Sequence, residues 1–395
     1  MAAKKINNFE QYLLRGKLRS EGFERWRYSF CASSKSTGDE RRFFIEMYLV
    51  NPAVSPNVVV IAQKTRLSTG ISDASVQQAL TGGMSGYDSR FSGQEIVVKP
   101  SYLLVKAGVY GDNGKQMNKF ISSAKFNYSK STATIKTDDC LFSADTLIGT
   151  VEVTDGDLRV RPEMLCNAGF MTWELKYENT VEGKTLYGNS SNSWVPLGCK
   201  SKFIGSLTFD GEEYAVTPDK SFGYVDKSWG ESLSNPYYHI STSRLTSMIT
   251  GKSLSSSYVS IEGEFGKKKE LNGLIEIEGR TFRIGGFLNG IGMVETHYCT
   301  QVPSNEDGEK LHWSVSLEKG EYVVDLDVFC RASEMFVRDY EVPQGKRTLM
   351  KVLGGGTGTG EVRIFKKVGK NLELLEHANI YDTICEFGEL DSVGS

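Results

Sequence analysis

Long apolar runs are missing from this sequence. No uninterrupted stretch is long enough to span a bilayer, and the N-terminus, with Lys4 and Lys5 ahead of Ile6 to Leu14, lacks the apolar core of a secretory signal. A cytoplasmic chain without an integral membrane segment is expected; contact with a membrane surface to collect a substrate stays open. Paired cysteines are missing too. The seven (Cys31, Cys140, Cys166, Cys199, Cys299, Cys330 and Cys385) are odd in number, scattered and without a CxxC, which argues against a disulfide framework and a zinc site. His239, His297, His312 and His377 show no HxH or HExxH spacing, so no preorganised metal site is expected. Charge of one sign is also lacking: 46 basic and 49 acidic residues are interspersed, for a formal net charge of −3, and no field favours nucleic acid. The Lys267–Lys269 run reads as a solvated turn. No Gly-Lys-[Ser/Thr] follows the glycine-rich stretch Gly354 to Gly360, and Glu361 begins a strand, so a phosphate loop is excluded in favour of a bulged turn at a barrel rim. Without a Gly-x-Ser-x-Gly elbow, an esterase triad has no support.

Helical patterning is scarce. Phe9, Tyr12, Leu13 and Leu18 fall near helical spacing between Asn8 and Glu24, and Ser72 to Leu80 can cap and form a short helix before Gly82. Short β-rich runs fill most of the remainder, and Asp155-Gly156, Asp210-Gly211, Gly279 and Lys319-Gly320 sit between alternating runs as hairpin turns require. Hairpins in series predict antiparallel sheets, closed or covered to avoid bare edges, and a closed barrel of moderate size can hold one small ligand. At 395 residues the chain exceeds one ordinary core. Two domains are expected, 1–200 and 201–395, with the polar Thr180 to Ser193 loop as crossing or lid.

The segment Gly223 to Ser232 combines strand alternation with a Trp-Gly stop. If extended, it puts Tyr224, Asp226 and Ser228 on one face and Val225, Lys227 and Trp229 on the other. An acid beside a phenol then faces a cavity, or, on the plainer reading, Asp226 and Lys227 are solvated at a strand end. Pro236 to Arg244 follows as another strand, with Tyr237, His239, Ser241 and Ser243 on one face.

GYVDKSWG at 223–230, followed by Pro236-Tyr237-Tyr238-His239, resembles the Gly-Tyr-x-[Glu/Asp]-[Lys/His]-x-Trp-Gly signature of the tocopherol cyclase and carotenoid 1,2-hydratase superfamily. Fungal lipocalin-like Diels–Alderases and survival-factor-type lipid-binding proteins look like more distant relatives. Ala168 to Trp173, Ile204 to Tyr214 and Gly354 to Val362 add to the resemblance, which covers about residues 165–390. It implies an all-β fold of two tandem lipocalin-like antiparallel β-barrels with a few short helices, the motif lying in the C-terminal one. It also implies cofactor-independent chemistry in which an isoprenoid or polyketide alkene is protonated and an internal phenol or water captures the cation.

That chemistry needs a carboxylic acid kept neutral in a dry setting. The resemblance assigns the role of donor to Asp226, with Tyr224 as its hydrogen-bonding or relay partner. Trp229, Tyr237 and Trp173 are the expected aromatic lining for a cation. Lys227 stands at the Lys/His position of the motif, and His239 where relatives often carry Trp, so both are candidate substrate contacts. The expected activity is that of a cyclase or hydratase; the alternative is a non-catalytic carrier of a hydrophobic ligand. What separates them is whether Asp226 faces a cavity or is pinned in a salt bridge, for instance with Arg244.

Overall fold

The computed structural model describes residues 10–62, 98–129, 131–160, 166–183, 187–188, 191–264, 271–285, 293–305, 308–346 and 348–392. These form two curled antiparallel sheets, one of 13 strands and one of 11, with short helices only, among them Leu18–Glu21 and Asp155–Val160. The all-β expectation of two tandem barrels holds. No described helix is long and apolar enough to cross a membrane.

Sheet membership follows chain order. Every described strand up to Gly223–Gly230 belongs to the first sheet, and every one from Tyr237–Thr242 onward to the second. The GYVDKSWG strand, expected in the C-terminal half, therefore pairs within the first sheet. It lies between Phe23–Ser34 (Asp226 opposite Arg27) and Asn192–Phe209 (Trp194 opposite Ser228). The Thr180 to Ser193 loop joins two strands of that same sheet, Gly169–Val181 and Asn192–Phe209, so the chain crosses between sheets at 231–236 instead.

Outer strands alternate as a half-buried sheet should: Thr146–Val153 is buried at every second residue. Phe23–Ser34, Glu40–Val50 and Tyr237–Thr242 are buried almost throughout, because one face fills its own sheet's interior and the other meets the opposite sheet. Trp26, Tyr28 and Phe30 pack inside the first with Trp173 and Val225, while Tyr238 and Ile240 pack inside the second with Trp313 and Val328. Period-two geometry sends Arg25, Arg27, Glu46, Asp226, His239, Glu262 and Glu386 to the seam between them. An apolar cluster that includes Phe23, Tyr48, Tyr102, Tyr237, Tyr340 and Met350 closes one end of that seam.

Local expectations fared unevenly. Asp210-Gly211 and Glu278-Gly279 are hairpin turns with positive φ at both residues (48° and 88°; 48° and 78°), the twist-matched turn that glycine permits. Asp155-Gly156 instead opens a short helix. Of the one helix or two short turns expected between Asn8 and Glu24, the described residues form a short helix at Leu18–Glu21, and Phe23 already begins a strand. The Ser72 to Leu80 helix lies outside the described residues. Gly354 to Gly360 is no rim turn: it sits inside the Thr348–Val368 strand, where the register shifts twice.

Candidate active site at the seam

Tyr224 and Asp226 reach the seam from the GYVDKSWG strand, and Tyr237 and His239 from the first strand of the second sheet. Arg27, on the strand paired with GYVDKSWG, ties them together. Its Nε donates to Asp226 Oδ1 at 3.1 Å and its Nη2 to Oδ2, while Nη1 donates to Glu386 across the seam. Asp226 also accepts from Trp194 Nε1 and from the Tyr224 hydroxyl, both at 3.1 Å. All three partners donate, through four hydrogen bonds, so Asp226 serves as an acceptor clasped side-on by an arginine. Its cationic partner is Arg27; Arg244 pairs instead with Glu40 and Asp382.

A second carboxyl is held differently. Glu262 lies 3.5 Å from Arg25 and 3.7 Å from Arg27, accepts from the Tyr237 hydroxyl at 3.0 Å and stands 3.3 Å from His239 Nδ1. Burial raises its pKa to about 8; Arg25 opposes the rise and the Asp226 charge adds to it. Desolvation wins because both arginines spend their closest contacts elsewhere. Glu386 shows the opposite balance: burial pushes it up, but Arg27 and Arg338, which reaches it at 2.7 Å, hold it below the usual range. Burial, with Arg27 and Arg25 adding to it, drives the His239 pKa well down, so the imidazole is neutral. The resting arrangement is thus a protonated Glu262 against a neutral histidine, beside a Glu386 carboxylate paired with two arginines. Asp226, His239 and Glu262 offer atoms within 4.8 Å of one another, but the Arg27 guanidinium, 3.1 and 3.2 Å from the two ring nitrogens, occupies the space a cation would need.

Beside Glu262 is a hollow lined in part by Arg25, Ser228, Leu233, Tyr237 and Tyr340, with room for about one water molecule. Arg25 Nε and Ser228 Oγ, both buried, have no hydrogen-bond partner among the described residues.

Three expected site residues lie elsewhere. Lys227 and Trp229 point into the first sheet's interior, where the Lys227 Nζ pairs with Glu24 and lies 4.9 Å from the Trp26 ring centre and 5.7 Å from that of Trp229. Trp173 belongs to that same interior, against Gly149, where an added Cβ would come within 2.4 Å of its ring. None of the three shares the face that carries Asp226. Conversely, Arg25, Arg27, Glu262 and Glu386 escaped sequence reasoning. Their one signal is a charge at alternate positions in strands otherwise apolar enough for two-sided burial.

No protein-family model matches the sequence, and neither does any curated protein. Among solved structures, the chain is similar to a candidate AttH from Nitrosomonas europaea (11% identity, TM-score 0.46, 97% of this chain and 98% of that one). It is also similar to kievitone hydratase from Nectria haematococca (12% identity, TM-score 0.42, 98% and 93%).

Proposed function

We propose that the protein is an acid catalyst working at the seam between its two sheets, adding a proton to an alkene of a hydrophobic isoprenoid or polyketide and thereby cyclising or hydrating it. One observation carries this reading: Glu262 is a buried carboxyl that keeps its proton to about pH 8 and borders a hollow with room for about one water. The signature resemblance of GYVDKSWG supports the same chemistry, with the acid moved from Asp226 to Glu262.

The alkene π pair takes the Glu262 proton and leaves a carbocation and a carboxylate. Water, or a phenol of the substrate, adds to the cation and surrenders a proton to that carboxylate. Tyr237 and Tyr340 turn aromatic surface to the hollow, and Arg25 and Arg27 steady the carboxylate once formed. The hollow has room for about one water, so a larger substrate reaches the acid only when residues lining it move apart.

Incubation of a linear isoprenoid or prenylated quinol with the wild type, Glu262→Gln and Asp226→Asn, followed by mass spectrometry, tests the reading. A product with one added water, or an isomer of unchanged mass, formed by the wild type and lost in Glu262→Gln, supports it. Equal turnover by Glu262→Gln removes this carboxyl from the mechanism. Substrate bound but recovered unchanged from all three proteins favours the carrier.

A further inference from the structure

A strand at the end of a sheet is kept from pairing further by shortness or by basic side chains. Among the described residues, the first sheet ends at one side in Lys115–Ile121, which carries Lys115 and Lys119, and at the other in the three-residue Asn127–Ser129. The second ends at one side in the five-residue Arg280–Ile284, with Arg280 and Arg283. Its other end is built differently. Met293–Asn305 has 13 residues and no lysine or arginine, and among the described residues its ladder runs along one side only, to Gly308–Lys319. Glu295 and His297 do not guard this edge, because they sit opposite the core residues Leu317 and Val315 and approach each other at 2.9 Å.

The opposite face of the strand is open to solvent. Val294 is 63% exposed and Tyr298 38%, and Thr296 and Thr300 on the same face are exposed too. Pro303 has no N–H to give to a further strand, so the run that can pair is Val294 to Val302, and its midpoint is Tyr298. A second copy brought up antiparallel on a twofold axis at that midpoint sets Tyr298 against itself, Thr296 against Thr300 and Val294 against Val302. On the inner face Glu295 meets the neutral Gln301. The outward pairs are β-branched or aromatic, the kinds that stabilise a sheet, and no like charges are opposed. Moving the axis one residue either way shortens the run and breaks these matches.

We propose that the protein pairs with a second copy of itself, edge to edge through Met293–Asn305, on a twofold axis at Tyr298. Pairing of this kind uses the same edge in both copies and therefore stops at a dimer. It does not depend on the acid chemistry assigned to Glu262.

Sedimentation velocity of the full chain over a wide concentration range tests it. The expected result is a monomer–dimer equilibrium whose dissociation constant rises by about tenfold or more in Thr296→Lys/Thr300→Lys, which sets lysine against lysine on both sides of the axis, and recovers in Thr296→Lys/Thr300→Glu. Both variants change exposed positions, and circular dichroism checks that they fold. A second measurement reads the register. Directly opposed Cα atoms lie about 4.5–5.5 Å apart, within reach of a disulfide, so Tyr298→Cys should link two copies on mild oxidation and Thr296→Cys should not, with the linked peptides identified by mass spectrometry. A monomer at every concentration, growth beyond two copies, or an affinity the same in both double variants overturns the proposal. Equal cross-linking of Tyr298→Cys and Thr296→Cys overturns the axis at Tyr298.

Discussion

Glu262 and Glu386 sit in the same buried cluster, both close to Arg27, yet burial governs one and ion pairing the other. The difference is geometric, since an arginine contact of 2.7 Å outweighs desolvation and one of 3.5 Å does not. It has a pH signature. The folded pKa of Glu262 lies above its ordinary 4.5, at about 8, so the native state holds this proton more tightly than the unfolded chain does. Its contribution to stability is complete below about pH 4.5 and is lost as pH rises through about 8. Glu262→Gln, which keeps a neutral side chain of the same shape, should flatten that slope and melt higher than the wild type at pH 9; melting temperatures of both proteins across pH 5 to 9 check it. On the acid mechanism proposed above, turnover should run the same way and fade as pH passes about 8, since only the protonated acid can donate. Asp226→Asn is the opposite case, because it leaves Arg27 buried without the carboxylate it clasps, and should cost about 3–5 kcal/mol in urea unfolding. Of the expected site residues, Tyr224, Asp226, Tyr237 and His239 were legible because alternation within a strand assigns them a face. Arg27 was not, since it lies 199 positions from Asp226 and nothing local links the two.

Among the elements, hairpins were the most legible, because their turn residues need positive φ and glycine advertises it. Long strands were less so. The Gly354 to Gly360 run carries a turn's composition inside the Thr348–Val368 strand, and its cause lies in the partner sheet: a Cβ on Gly356 would stand 2.3 Å from the Tyr110 ring. Close approach of backbone to a seam aromatic is a tertiary demand that composition does not distinguish from a turn. Gly356→Ala should therefore destabilise the fold by about 1–3 kcal/mol through overpacking, measured by chemical unfolding. Gly251→Ala, where an added Cβ meets nothing within 4 Å, carries only the strain of its φ of +70° and should cost about 1 kcal/mol.

Across the whole molecule, the two sheets meet through charged residues where most sheets would bury aliphatic ones. Arg25 with Glu262, Arg27 with Glu386 and Arg338 with Tyr110 span the seam. Such pairs stabilise little against an apolar substitute, but losing one partner strands the other. The sheets should consequently unfold as one unit, with calorimetric and van't Hoff enthalpies in agreement. Arg338→Ala, which removes the Tyr110 contact across the seam and one of the two arginines held by Glu386, should separate them into two transitions. Two sheets were legible from length and hairpin count, but their dividing point was not: the Thr180 to Ser193 loop has the composition of a linker, while the passage at 231–236 is short and unremarkable in sequence. That passage has a practical corollary. Each sheet's described strands come from one continuous piece of polypeptide, so a cut made there yields fragments with separate sets of strands and complementary faces, and the protein could be made as a split pair whose reunion reports on the seam.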